Sequence, residues 1–319
     1  MNTTTERIRR TARAGPDQAG MRLDQAAAEL FDEFSRGRLQ KWIRSGELRV
    51  DGQQTKPTHR MSGTETLTLD AEPEPDDSVA PQAIPLDVLY ADADLIVLDK
   101  PAGMVVHPAA GNPDGTLQNA LLHWDPSLAT LPRGGIVHRL DKDTSGVMVV
   151  ARSLRAHASL VEQLQSRRMS RVYRALALGD IITGGTVDAP IGRHPRDRKR
   201  MAVVASGRPA VTHYRVLERF GFATWLEVSL ETGRTHQIRV HMAREGHALV
   251  GDPVYGRRGL KTRGVPAGAL EAMRSFPRQA LHARTLELVH PGTGEVKRFE
   301  APLPADLEHL LAALRGSDS

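Results

Sequence analysis

The chain has 319 residues, 43 Lys plus Arg against 38 Asp plus Glu for a formal net charge of +5, and no cysteine. That length accommodates one large and one small domain, each with a core of its own. The lack of cysteine excludes disulfides and thiolate metal sites, and no apolar run approaches the roughly 20 residues that span a bilayer, so a cytoplasmic protein without membrane contact is expected.

Residues 1–14 carry Arg7, Arg9, Arg10 and Arg13 without an apolar core. They are no secretory signal and read as a flexible basic tail reaching residue 16, although the Arg and Thr content would also fit a mitochondrial leader. Residues 17–70 form a small module. Helical spacing over 22–31 is followed by Ser35 as the N-cap of a second helix over 36–45, ended by Gly46. Leu39, Trp42 and Ile43 make its apolar stripe and leave Arg36, Arg38 and Lys41 on other faces. A strand at 48–50 enters an Asp51-Gly52 hairpin turn, and a later strand covers 66–69. From 71 to 84, Pro and acidic residues replace periodic apolar positions, the composition of a semi-extended linker.

The remainder, 85–319, alternates strand-like and turn-like segments. Strands are expected at 86–98, 146–151, 172–178, 212–218, 224–231 and 286–290, and helices at 119–124, 156–168, 237–245 and 305–314. Two clusters of cations flank the centre. One comprises Arg167, Arg168, Arg171 and Arg174; the other contains Arg196, Arg198, Lys199 and Arg200 in a segment, 193–208, expected to be a mobile loop that closes on RNA. Such runs are commonly solvated surface, but two of them in one chain fit phosphate contacts. An aromatic content of 4% argues against an extended stacking platform for single strands and leaves room for a pocket that takes one base.

Ahead of both clusters, Gly134-Gly135-Ile136-Val137-His138-Arg139-Leu140-Asp141-Lys142-Asp143-Thr144-Ser145-Gly146 runs into the β-branched segment 147–151, so a carboxylate is set on rigid backbone. His138, Arg139 and the Thr-Ser-Gly corner favour an ionised acceptor able to act as nucleophile or base; a purely structural turn remains the other reading of Asp141. His236 and His241 lie five apart with no acid between them, which does not match a zinc-helix pattern. Neither a serine-hydrolase elbow nor a phosphate-binding Gly-Lys loop is present.

Residues 138–146 resemble the signature loop of the RluA-type pseudouridine synthases. The likeness continues through Leu95 to Pro108, Arg171-Val172-Tyr173-Arg174-Ala175, Gly233 to His241, Leu249 to Gly256 and Gln279 to Ala283, and covers about residues 85–312. Gly111 to Thr116 and Ala210 to Arg215 are most similar to the RluD branch, and the module at 17–70 resembles the S4 RNA-binding domain that this branch carries. One departure is His247-Ala248-Leu249, where His-Pro-Leu is usual. The resemblance implies an α+β fold, with a mixed, mainly antiparallel central sheet, flanking helices and a central cleft, beside a small S4-like α/β module.

It further implies isomerisation of uridine to pseudouridine without cofactor or metal, in large-subunit ribosomal RNA or, as the alternative, at another ribosomal site or in transfer RNA. Asp141 would be catalytic, Arg234 would pair with it, and Tyr173 would stack on the target base with Ile238 beneath. His138, Arg139 and Thr144 would shape the loop or hold substrate, and Arg36, Arg38, Lys41, Arg196, Arg198, Lys199 and Arg200 would contact RNA. A monomer is expected. The rival classes are a base-excising hydrolase, which would need a second placed acid, and a non-catalytic RNA-binding protein, which would tolerate loss of Asp141.

Overall fold

The structure, a computed structural model, describes residues 7–31, 34, 36–72, 79–109, 111–197, 200–256 and 264–316. Ser35, Arg198, Lys199, the first six residues and linker residues 73–78 lie outside them.

The N-terminal module contains β1 (Ile8–Arg13), α1 (Leu23–Leu30), α2 (Arg36–Ser45), β2 (Leu48–Val50) and β3 (Thr66–Ala71). Its sheet has the order β1-β3-β2, all antiparallel. Residues 8–13 are therefore a strand, where a flexible tail was expected. Ile8 is buried and the arginines beside it point outward, so charge masks a period-2 pattern too short to stand out. Ile8, Leu23, Leu39, Trp42, Ile43, Leu67 and Leu69 share one apolar core, with Phe34 edge-on to Trp42 at 4.9 Å. Asp24 is fully buried in α1. Burial alone would raise its pKa, but hydrogen bonds from Arg36 (2.6 Å), Gln40 (2.6 Å) and Arg22 (3.0 Å) hold it at about 2.

The large domain continues with β4 (Asp87–Ala91), β5 (Leu95–Lys100), α3 (Leu117–Trp124), β6 (Ser145–Ala151), α4 (Leu154–Gln165), β7 (Ser170–Leu178), β8 (Gly185–Asp188), β9 (Ile191–Arg193) and β10 (Met201–Val203). There follow β11 (Val211–Arg219), β12 (Ala223–Leu230), α5 (Gln237–Arg244), α6 (Ala267–Ser275), β13 (Leu281–Val289), β14 (Val296–Glu300) and α7 (Ala305–Arg315). Nine strands form one sheet in the order β4-β5-β6-β13-β7-β12-β11-β8, with β14 also on β13. Every pairing is antiparallel except β6 with β13, which is the mixed, mainly antiparallel sheet expected.

Residues 86–98 are a hairpin rather than one strand. The Asp92 carboxylate accepts from the backbone N–H of Asp94 and Leu95, both at 2.8 Å, an Asx turn that breaks the apolar run. Segment 193–208 is not simply a loop, because β10 lies within it and pairs with β9 at its start. β6 is buried along its whole length, which explains its unbroken apolar sequence. Where β6 crosses β13, a Cβ on Gly146 would lie 2.2 Å from the Ala283 carbonyl, so only glycine fits. β7 at the sheet centre shows the period of two. Tyr173, Ala175 and Ala177 enter the core shared with β5, β6 and α4, whereas Leu176 and Leu178 join α6 and α7 on the other face.

Among the fully buried histidines are His157 in α4 and His282 in β13, and burial pushes the pKa of each of these two down to about 4. The unfolded chain thus binds more protons than the folded one between pH 6.5 and 4, and stability falls as pH drops through that window by about 1.4 kcal/mol per pH unit for each histidine. Urea midpoints measured from pH 7 to 5 are expected to show this slope, and His157→Leu to lower it by about one histidine's share. An unchanged slope in the variant would contradict the assignment.

Candidate active site

The loop carrying Asp141 is laced to the sheet at both ends. Arg133, Gly134 and Gly135 are consecutive left-handed residues, and a Cβ on Gly135 would meet the Ala151 carbonyl at 2.0 Å, so the chain doubles back tightly on β6. Ile136 bridges Val150, and the Val149 N–H donates to His138 Nε2 at 3.1 Å. Burial, with Arg171 nearby, lowers the His138 pKa to about 3, which suits this acceptor role. His138 consequently shapes the loop.

Beyond Asp141 a turn closes with the Thr144 N–H on the Asp141 carbonyl at 3.1 Å. Lys100, wholly buried at the end of β5, donates to the carbonyls of Pro101, Met104 and Lys142 at 2.7, 2.9 and 3.0 Å. Burial lowers its pKa to about 8, a shift opposed by Asp143 and Asp141. Arg278 donates to the Asp143 carbonyl, and Gln279 to Thr144 Oγ1, each at 3.1 Å. Thr144 is thereby a buried strut of the loop.

Arg239 in the first turns of α5 donates through Nη1 to Asp141 Oδ2 at 3.0 Å, and through Nε and Nη2 to both oxygens of buried Asp252 at 2.7 and 3.0 Å. Asp252 also accepts from the N–H groups of Val254 and Tyr255. Burial would raise the Asp252 pKa, but Arg239 holds it low; Asp252 and Asp141 in turn raise that of Arg239 against burial. Tyr255 lies under the Arg239 guanidinium at 5.2 Å, and its hydroxyl meets His236 Nδ1 at 2.9 Å. His236 has left-handed backbone (φ 58°) and stands 3.9 Å from Asp141 Oδ1, which makes no hydrogen bond among the described residues.

The expected partner of Asp141 was Arg234, and this is corrected. Arg234 lies in the loop before α5 and donates through Nε to the Pro209 carbonyl at 3.1 Å. Five residues later, Arg239 sits between buried Ile238 and Val240 on the inward side of the helix. Two arginines in one motif offered the same chemistry; Arg234 stays in the loop, and Arg239, on the buried side of α5, reaches Asp141.

Asp141 opens onto a cleft of about 950 Å³. Tyr173, Ile238, Leu281 and Leu140 form its apolar floor; burial raises the Tyr173 pKa, so its hydroxyl is neutral. Arg139 and Arg234 lie toward its mouth, and Arg10, Thr11, Glu29 and Phe31 of the N-terminal module complete the wall. Arg10 was assigned to the tail, and its place in β1 is what brings it here.

The remaining expected contacts divide. Arg36 is engaged with Asp24, and Arg38 is 8% exposed with its guanidinium 5.0 Å over the Trp42 ring, so neither presents a free charge and both belong to the module's own packing. Lys41 and Arg196 are exposed. Arg200 stacks on Tyr255 at 5.2 Å, on the same ring as Arg239. Lys100, Arg239, Asp252 and Tyr255 were not singled out beforehand, though all lie in the conspicuous segments 95–108, 233–241 and 249–256.

Comparison with known proteins now bears on this geometry. Residues 94–244 match the family model described as RNA pseudouridylate synthase. A protein named ribosomal large subunit pseudouridine synthase D from Xanthomonas campestris pv. campestris is 56% identical over 301 residues, 94% of this chain and 91% of that one. This chain belongs to the RNA pseudouridylate synthase family. A protein of the same name from Pseudomonas aeruginosa is 54% identical over 98% of this chain and 97% of its own length. The solved structures of human RNA pseudouridylate synthase domain containing 1 and 4 superpose with TM-scores of 0.55 and 0.56 at 27% and 29% identity, covering 73% and 72% of this chain and 96% and 93% of theirs. The protein is accordingly an isomerase, an RNA pseudouridine synthase.

The two arginines are separable experimentally. Arg239→Gln strips the partner from Asp141 and leaves Asp252 buried and uncompensated, so kcat for pseudouridine formation is expected to fall at least ~100-fold, with a lower melting temperature. Arg234→Gln is expected to keep the wild-type melting temperature and mainly raise KM. Single-turnover assays beside thermal melts would reverse the assignment if the kcat defect followed Arg234 instead.

Proposed function

We propose that this protein isomerises uridines of large-subunit ribosomal RNA to pseudouridine in the cytoplasm, acting as a monomer without metal or cofactor, with Asp141 as its nucleophile. The observation that carries the chemistry is the unequal treatment of one carboxylate in the cleft lining: Arg239 holds Oδ2, while Oδ1 makes no hydrogen bond among the described residues and stands 3.9 Å from His236. The relatives named as large-subunit enzymes, matched along nearly their whole length, support the substrate.

The target uridine must leave its stack to expose the glycosidic bond, at a cost of a few kcal/mol. Tyr173 and Ile238 offer an apolar surface for the extruded base, a contact of about 1–3 kcal/mol in other systems. Attack by Asp141 Oδ1 at ribose C1′ displaces uracil N1; the base turns, its C5 bonds to C1′ as the carboxylate departs, and the C5 proton passes to solvent while N1 regains one. Attack at uracil C6 and a glycal route use the same carboxylate. The N-terminal module, with its order of two helices and a hairpin and its exposed Lys41, serves as an S4-like RNA-binding element, and Arg139, Arg196, Arg198, Lys199 and Arg200 as further contacts to substrate.

Pseudouridine in ribosomal RNA would be mapped by carbodiimide primer extension in cells lacking the protein, complemented with wild type or Asp141→Asn. Marks restored by wild type alone are the expected result. Marks restored by the variant would remove Asp141 from the chemistry, and ribosomal maps unchanged by deletion would redirect the substrate to transfer RNA.

A further inference from the structure

Arg171 stands on β7 two residues before Tyr173, and alternation along the strand puts both side chains on the cleft side of the sheet. Its side chain is 8% exposed. Buried arginines elsewhere in the domain are matched: Arg239 holds two carboxylates, and Arg278 forms a two-bond pair with Asp306. Arg171 is not. Its Nε is fully buried without a hydrogen bond, and among the described residues its guanidinium makes no hydrogen bond or ion pair.

Acids line the same cleft, but among the described residues none of them forms an ion pair or hydrogen bond with Arg171. Arg167, Arg208 and Arg234 line the cleft with it, and Arg208, Arg167 and Arg171 itself each add positive potential at Arg234. Arg167 is answered by Glu231 and Arg234 by the Pro209 carbonyl, which leaves Arg171 as the deepest member without an answering group. The neighbouring backbone makes room for it. A Cβ at Gly233 would come within 2.6 Å of Arg171 Nη1, so the glycine leaves the space that the guanidinium fills. A buried cation among like charges is costly unless an anion completes the site.

We propose that Arg171 is a binding residue for a phosphodiester next to the extruded uridine, anchoring the RNA backbone while Tyr173, on the same strand, receives the base. This rests on the pseudouridine synthase reading of the cleft. A phosphate suits the planar donor fork and the positive cluster, and supplies the charge that the protein withholds. Strand geometry couples the two contacts: side chains at i and i+2 keep a fixed spacing, so seating the phosphate sets where the base enters. Arg174, three positions on, faces the opposite side of the sheet and pairs with Glu227, so the arginine run of the sequence divides between the two faces and only its cleft-facing members meet substrate.

The test uses the full-length protein and ribosomal hairpin RNAs that the wild type modifies, each with one neutral methylphosphonate walked across the linkages around the target uridine. At one linkage the wild type is expected to lose about 30-fold or more in kcat/KM; Arg171→Met should lose a similar factor on normal RNA and nothing further at that linkage. Because no protein partner is removed, Arg171→Met should melt at or above the wild-type temperature. Gly233→Ala, which crowds Nη1, should reproduce the loss of sensitivity at the same linkage should Arg171→Met fold poorly. Wild-type activity in Arg171→Met, losses that multiply at every linkage, or a fall in both melting temperature and activity with the methylphosphonate effect retained in Gly233→Ala would overturn the assignment. RNA binding by anisotropy separates it from the underlying reading, since a lost phosphate contact lowers the salt slope by about one even for an RNA that is never isomerised.

Discussion

One guanidinium organises the centre of this molecule. Arg239 is buried in α5 and uses three of its nitrogens to bind two carboxylates, Asp252 from the loop after α5 and Asp141 from the loop before β6. Each group would be costly alone in the interior, and together they are tolerable only in one geometry. That requirement draws together segments more than a hundred residues apart and sets where α5 lies relative to the sheet. Tyr255 beneath the guanidinium and His236 on the Tyr255 hydroxyl extend the same cluster. The loop carrying Asp141 is consequently held from two directions: by Arg239 through its side chain, and by Lys100, Arg278 and Val149 through hydrogen bonds that involve main-chain atoms.

The parts of this arrangement written in local pattern could be read before any coordinates. β6 is a continuous apolar run because both of its faces are covered, β7, β11 and β12 follow from their β-branched and alternating residues, and α7 from its leucine spacing. The address of Asp141 was legible for the same reason, as a charged turn welded to a buried strand. What escaped were features whose signal is tertiary. β1 looks like a charged tail because three of its six residues are arginine, and only docking on β3 reveals Ile8 as core. The break between β4 and β5 depends on a side chain accepting from its own backbone. Choosing between Arg234 and Arg239 requires knowing where α5 begins and which of its sides faces inward.

Charge in this chain also has more than one use, and count alone does not separate them. In α2, Arg36 satisfies a buried aspartate and Arg38 covers a tryptophan, so a helix that looks made for phosphates turns much of its charge inward. In the cleft the reverse holds at Arg171, a buried cation with no matching acid among the described residues. Net charge describes neither situation; local pairing does.

The asymmetry of Asp141 has a consequence for turnover in the proposed reaction. A nucleophile that returns unchanged must be as good at leaving as at attacking. When Oδ1 is bonded to carbon, Oδ2 becomes the carbonyl of an ester and still accepts from Arg239; when that bond breaks, the same contact meets the carboxylate as its charge returns. One fixed hydrogen bond thus serves both directions of the bond-making step, and the free enzyme is regenerated without any group having to change place.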